Sequence, residues 1–130
     1  MRLLIDTHVF IWIVATPDRL GASTRRALAA PGNAVFVSTV SVWEIAIKHA
    51  LGRLVFPLDD LDAVLARAGF DELPILSPHA VAAGGLPRHH ADPFDRMLIA
   101  QARVDDLTLV SEDAAFRAYD VRLFGAEPAA

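Results

Sequence analysis

The sequence predicts an α/β sandwich built on a mostly parallel sheet, and three observations carry that reading. Short apolar runs such as Leu3-Leu4-Ile5, Ala34-Val35-Phe36-Val37 and Leu107-Thr108-Leu109-Val110 have the character of strands buried on both faces. These runs alternate with helix-length segments, the pattern of βα units. The chain has 130 residues, of which 54% are apolar. That is enough core for one domain over residues 1–130, with no room for a second.

Leu3-Leu4-Ile5 forms the first strand, and the continuing apolar stretch from His8 to Ala15 is too long for that strand and reads as a buried helix. Residues 18–30 form a second helix, opened by Asp18 and ended by Pro31-Gly32. Ala34 to Ser38 is the second strand, followed by a helix from about Ser41 to Leu51 that Gly52 stops. Pro57 opens a helix of about ten residues ending near Gly69. Glu72 to Leu76 is the third strand, weakened by Pro74. Ser77-Pro78 starts a helix that Gly84-Gly85 terminates, and residues 86–91 are a polar loop carrying His89 and His90. Asp92-Pro93 opens a helix to about Val104, residues 107–110 form the fourth strand, and a short helix runs from Asp113 to Ala118. Val121 to Phe124 adds an edge strand.

Composition narrows the chemistry. The chain has no cysteine, which excludes a disulfide scaffold, a thiolate zinc site and a cysteine nucleophile. Twelve basic residues, eleven Arg and the single Lys48, face 16 acids, for a net charge of −4. That balance argues against gripping nucleic acid through bulk positive charge, but not against holding it through a bound metal. The longest uncharged apolar stretch, Thr7 to Thr16, is about half a membrane span. Asp6 interrupts the N-terminal apolar run and no small-residue cleavage site comes after it, so the chain is expected to begin inside its fold and to be cytoplasmic, away from membranes.

Ligands of an open parallel sheet bind outside the carboxyl ends of its strands. Asp6 ends the first strand and Asp113 lies three residues past Val110. Glu44 falls in the first turn of the helix after the second strand, and Asp95 in the first turn of the helix after the His-His loop. Four carboxylates from four segments brought to one edge repel one another and need a cation, for which Mg²⁺ or Mn²⁺ suits an all-oxygen site. Their −4 equals the charge of the whole chain, so two divalent ions would cancel the cluster and let a polyanion approach. Each acid also has a plainer reading. Asp92 fits an N-cap with Pro93 at N1 and Asp95 as its capping-box partner, Ser41-Val42-Trp43-Glu44 also fits a capping box, and Asp113 could cap the last helix. Asp6, flanked by Leu4, Ile5 and Val9, is the hardest to explain without a partner.

At these same positions the chain resembles the PIN-domain ribonucleases, in particular the VapC-type toxins of toxin–antitoxin modules. The matching stretches are Leu4-Ile5-Asp6-Thr7-His8, Ser41 to Lys48, Leu86 to Arg96, Ile99 to Ala102 and Val110-Ser111-Glu112-Asp113, in order across nearly the whole chain. The resemblance implies an α/β/α sandwich with Asp6, Glu44, Asp95 and Asp113 as the acidic quartet. It implies one or two Mg²⁺ or Mn²⁺ ions, cleavage of RNA to 5′-phosphate and 3′-hydroxyl ends, a homodimer, and a cognate antitoxin laid in an apolar groove. Where the family usually carries Thr two residues before its last acid, this chain has Ser111, which keeps the hydroxyl. Asp92 recurs beside Asp95 in such proteins and is a further supporting candidate.

Other residues have two readings each. Lys48 lies four residues after Glu44 and either forms a simple helical ion pair or orients the carboxylate or a phosphate. Thr7 either orients the metal site or, as favoured here, caps the first helix. His89 and His90 either contact RNA or are solvated, and Arg96 serves RNA or a structural ion pair. Phe10, Trp12, Ile13 and Trp43 at helical spacing are most simply core, unless some line the antitoxin groove. Two other classes fit less well. A phospho-acceptor receiver domain wants an acid pair after its first strand, where Asp6 stands alone, and a haloacid-dehalogenase-like phosphatase wants an acid where His8 stands. A catalytically silent PIN-like binding module would keep the fold without turnover.

Overall fold

The computed structural model describes residues 1–125, so the last five residues of the span expected to form one domain lie outside the described residues. Five strands form one sheet: β1 (Arg2–Ile5), β2 (Ala34–Ser38), β3 (Phe70–Leu73), β4 (Thr108–Val110) and β5 (Leu123–Phe124). Their order is β3-β2-β1-β4-β5, and every pairing is parallel. The helices are α1 (Thr7–Ala15), α2 (Ala22–Ala29), α3 (Thr39–Ala50), α4 (Leu61–Ala68), α5 (Ser77–Gly84) and α6 (Pro93–Val104). None of them is long and apolar enough to cross a membrane.

The apolar runs behave as double-sided strands should. In β1, Leu3 and Ile5 enter one core with Val9, Phe10, Val35, Val37, Ile45 and Val64, while Leu4 between them enters the other with Leu98, Ile99, Leu109 and Phe116. Side chains alternate across a strand, so the three buried residues of β1 serve two helical layers at once. The expected α/β sandwich is therefore present as three layers. On the second layer His79, buried in the first turn of α5, accepts the Leu76 N–H at 2.9 Å through Nδ1 and sets Nε2 3.1 Å from Asp105, at the end of α6.

Several boundaries differ from expectation. The helix expected over 18–30 is a 3-10 turn at Pro17–Arg19 and then α2. Leu20 between them is extended and buried, which breaks the helix to bring its side chain into the core, and Gly21 takes the N-cap position. The helix opened by Pro57 begins as a 3-10 turn at Leu58–Asp60 before α4, which ends on Gly69 at φ 74°. That left-handed cap turns the chain straight into β3, so the strand starts at Phe70 and ends before Pro74, earlier than the expected Glu72 to Leu76. The last short helix is a 3-10 turn at Ala114–Ala118 with Asp113 outside it as N-cap. Helix α3 begins at Thr39 with no loop after β2. Ser38 closes the strand and caps the helix at once, its hydroxyl accepting the Val40 N–H at 3.0 Å.

The edge strand β5 anchors the chain just beyond β4, where Ser111 donates its N–H to Phe124 O at 3.1 Å. Gly125 then turns away at φ 97°, and a Cβ there would stand 2.8 Å from Ser111 O and 3.2 Å from Thr24 Oγ1. Gly125→Ala is accordingly expected to lower stability by about 1–3 kcal/mol, from left-handed strain plus the clash, as read by urea denaturation. An unchanged midpoint would show that this turn does not constrain β4.

Candidate metal centre at the strand ends

With all strands parallel, their carboxyl ends share one edge of the sheet. The chain runs from β1 outward through β2 and β3, then returns to the other side of β1 for β4, so the β1–β4 border is the topological switch point where such folds form their sites. Asp6 leaves β1 there. Its backbone N–H bonds to Val110 O at 3.0 Å, and its side chain caps α1 by accepting the Val9 N–H at 2.8 Å. From the neighbouring β4, the fully buried Ser111 accepts the Asp113 N–H on its hydroxyl at 3.0 Å. Asp113, exposed, accepts the Ala115 N–H at 2.9 Å.

Glu44 arrives from the second turn of α3, one turn deeper than a start at Ser41 would place it. Ser41 is no cap. It is buried inside the helix and accepts the Thr7 hydroxyl at 2.9 Å, tying α1 to α3. Thr7 is likewise not the cap of α1, a role that Asp6 fills. Glu44 is only 6% exposed, with Oε2 2.8 Å from Lys48 Nζ, and its other oxygen, Oε1, is buried without a hydrogen-bond partner among the described residues. The i,i+4 pair expected for Lys48 thus exists and orients the carboxylate.

Asp95 stands in the first turn of α6. Asp92 caps that helix as its sequence suggests, accepting the N–H groups of Phe94 at 2.8 Å and Asp95 at 3.2 Å. The Asp95 side chain does not close a capping box; it turns to His90, whose Nε2 lies 2.9 Å from Oδ2. His90 is the residue that sequence reasoning undervalued. Its N–H donates to Tyr119 Oη at 2.8 Å and its Nδ1 accepts the Asp92 N–H at 3.4 Å, so the ring is held with Nε2 facing the acids. Ligand atoms of His90, Asp95 and Asp113 all lie within 4.8 Å of one another. The loop beneath is clamped by Arg96, which donates to the carbonyls of Pro87, Ala83 and Leu86 at 2.9–3.1 Å and faces no acid. His89 stays exposed, its ring edge-on to Tyr119 and outside the cluster.

The electrostatics bind the four acids into one site. Burial pushes the Asp6 carboxyl up, and Asp113 pushes it further, against the Ser111 hydroxyl, the Val9 N–H and His8. Asp95 is raised to about 7, first by burial and then by Asp92, with Asp6 and Glu44 adding to the rise and His90 opposing it. In both, burial is the larger cause and neighbouring carboxylates add to it, so ionising these acids together without a counter-ion is costly. Hard carboxylate oxygens, one of them a buried orphan on Glu44, are the donor set that Mg²⁺ or Mn²⁺ prefers. The residues fit such an ion.

The core reading holds for Phe10, holds in part for Trp12 and Ile13, which pack against that core, and fails for Trp43. Of the four residues read as core, Phe10 is fully buried, Trp12 and Ile13 only half-buried, and Trp43 is 61% exposed against Phe94. Trp43 and, just past the end of α3, Leu51 are equally exposed and stand at four-residue spacing from Ile47. Helical periodicity names an apolar face but not whether that face meets the core.

Comparison with known proteins agrees with the architecture. The chain is similar to the VapBC2 structure from Rickettsia felis bound to a promoter DNA fragment (TM-score 0.70, 15% identity, 95% of this chain and 98% of that chain covered). It is similar to the DNA-bound VapBC structure from Salmonella typhimurium (TM-score 0.67, 16% identity, 95% and 97% covered). It is also similar to VapBC-5 from Mycobacterium tuberculosis, a member of the VapBC family of toxin-antitoxin systems (TM-score 0.57, 20% identity, 92% and 90% covered). No curated protein sequence matches. At such identities the structures speak for the fold, which is the one the VapC-type resemblance of the sequence implied. The PIN domain family model matches residues 3–122, a span that takes in every acid of the cluster, and the chain belongs to the PIN domain family.

Proposed function

We propose that the chain is a metal-dependent endoribonuclease and the toxin of a cytoplasmic toxin–antitoxin pair. The observation that carries this reading is the cluster itself: four acids from four separate elements, mutually repelling, with a buried Glu44 oxygen that nothing among the described residues satisfies. Asp6, Glu44, Asp95 and Asp113 would hold one or two Mg²⁺ or Mn²⁺ ions. When bound, the metal supplies a water nucleophile at neutral pH and positive charge facing the phosphate. The chain's own part is positional. Asp6 is fixed by the Val9 N–H and supported by Ser111, and Lys48 aims Glu44. His90 holds Asp95 in place, and Asp92 fixes the helix that carries it. The products are 5′-phosphate and 3′-hydroxyl ends.

The exposed Trp43, Ile47 and Leu51 stripe suits an apolar segment of an antitoxin, as helix-in-groove recognition uses such spacing. A homodimer accompanies this reading. The direct test is cleavage of a pool of single-stranded RNA by the purified, antitoxin-free chain. Cleavage is expected with Mg²⁺ or Mn²⁺ and none with EDTA. Binding of RNA without cleavage under any divalent metal would instead make the chain a silent PIN-like binding module.

A further inference from the structure

Next to the acids lies a cavity of about 250 Å³ lined by Asp6, His8, Trp12, Glu112 and Asp113. Two of its walls, Asp6 and Asp113, belong to the metal cluster, so whatever fills it sits beside the reacting phosphate. The other side is built by α1, which presents His8 and Trp12 one turn apart with ring centroids 5.8 Å from each other. Trp12 is only half-buried, and the Arg19 guanidinium lies 4.6 Å from the centre of its ring. The Trp12 indole packs partly against the core, and the rest of it lines the carboxylate-edged cavity beside His8.

We propose that this cavity is a subsite for one unpaired base of the RNA strand, stacked against Trp12 and His8, with Arg19 meeting the backbone phosphate. The inference rests on the nuclease reading and deepens it. Planar aromatic surfaces beside a cation are how proteins hold splayed-out bases. Glu112 contributes a fixed acceptor: its Oε1 is held by the Gly21 N–H at 3.0 Å, leaving the carboxylate to accept from the N–H edge of a base. An arginine side chain from a protein partner also suits carboxylates beside an indole, and an arginine-rich peptide separates that outcome from the base.

The chain has two tryptophans, Trp12 and Trp43, so Trp43→Phe leaves Trp12 as the single reporter. In that background with Asp95→Asn to prevent cleavage, a single-stranded RNA oligonucleotide containing all four bases is titrated in Mg²⁺. Binding is tracked by anisotropy of the labelled RNA and, separately, by Trp12 emission. Both signals are expected to saturate together, with no quenching by an abasic oligonucleotide. Trp12→Ala should weaken binding about tenfold or more, the scale of one base–aromatic stack. Trp12→Phe should recover most of the loss, and Mn²⁺ affinity by calorimetry should not move in the Asp95-intact chain. RNA that binds by anisotropy while Trp12 emission and the Trp12→Ala affinity stay unchanged overturns the subsite and leaves the nuclease reading standing. RNA that fails to bind both this variant and the Asp95-intact chain removes both. Quenching by an arginine-rich peptide but not by RNA overturns the subsite in favour of a protein partner.

Discussion

Asp95→Asn is expected to reduce RNA cleavage by about a thousandfold or more, the scale on which preorganised electrostatic groups act, while raising the melting temperature of the metal-free protein at pH 8. The two effects have one origin. The Asp95 carboxyl sits among Asp92, Asp6 and Glu44 in a largely buried place, and its pKa is raised to about 7. At pH 8 it is ionised against that resistance, whereas Asn presents no charge. One pKa unit is about 1.4 kcal/mol, so the relief is on the order of a few kcal/mol, or several degrees in Tm for a domain of this size. Circular dichroism of the variant in EDTA, beside a cleavage assay in Mg²⁺, checks both. A destabilised Asp95→Asn would mean that the acid is there to hold the fold together.

The second large effect concerns the unmutated chain. In EDTA its stability is expected to fall as the pH rises from about 5 to 8, and added Mn²⁺ is expected to restore it at the alkaline end. Asp95 and Asp6 both have carboxyls raised in the folded state. For a raised acid the folded state binds the proton more tightly than the unfolded one. The stabilisation is therefore complete below the ordinary carboxylate range, near 4, and is lost as the pH climbs through the folded value, for Asp95 about 7. A divalent ion that binds only the folded state returns about 2.7 kcal/mol at a hundred times its Kd. Thermal melts at four pH values, with and without Mn²⁺, measure both halves. A metal-free melting temperature that rises with pH across this window would contradict the electrostatics of the cluster.

Much of this site is legible in the sequence because local rules and site geometry coincide. Asp6 comes after an apolar run that must be a buried strand, and Asp92-Pro93 announces the helix that carries Asp95. The less legible parts depend on contacts between distant segments. Ser41-Val42-Trp43-Glu44 looks like a helix start, yet β2 passes directly into α3 at Ser38, and Ser41 is committed to Thr7 on another helix. Nothing local distinguishes His90 from His89. The difference is that Tyr119, far along the chain, accepts the His90 N–H and seats its ring over Asp95. The single helix expected over 18–30 fails for a similar reason, since burial of Leu20 outweighs helical continuity. Trp12 and Trp43 show that spacing identifies a face and only the assembled fold says what that face meets.

The pairing of β1 with β4 joins Ile5 to Val110, residues separated by almost the length of the described chain. Such a contact closes the largest loop of any strand pairing among the described residues and belongs to the slow, entropy-limited part of folding. Asp6 and Asp113 meet only across that seam. A chain with β1 to β3 and their helices in place would therefore be compact but inert, its acids still scattered. The proposed RNA cleavage should appear late in refolding, in step with protection of the Asp6 amide that bonds to Val110, and local opening of the β4–β5 edge should abolish it before the molecule as a whole unfolds.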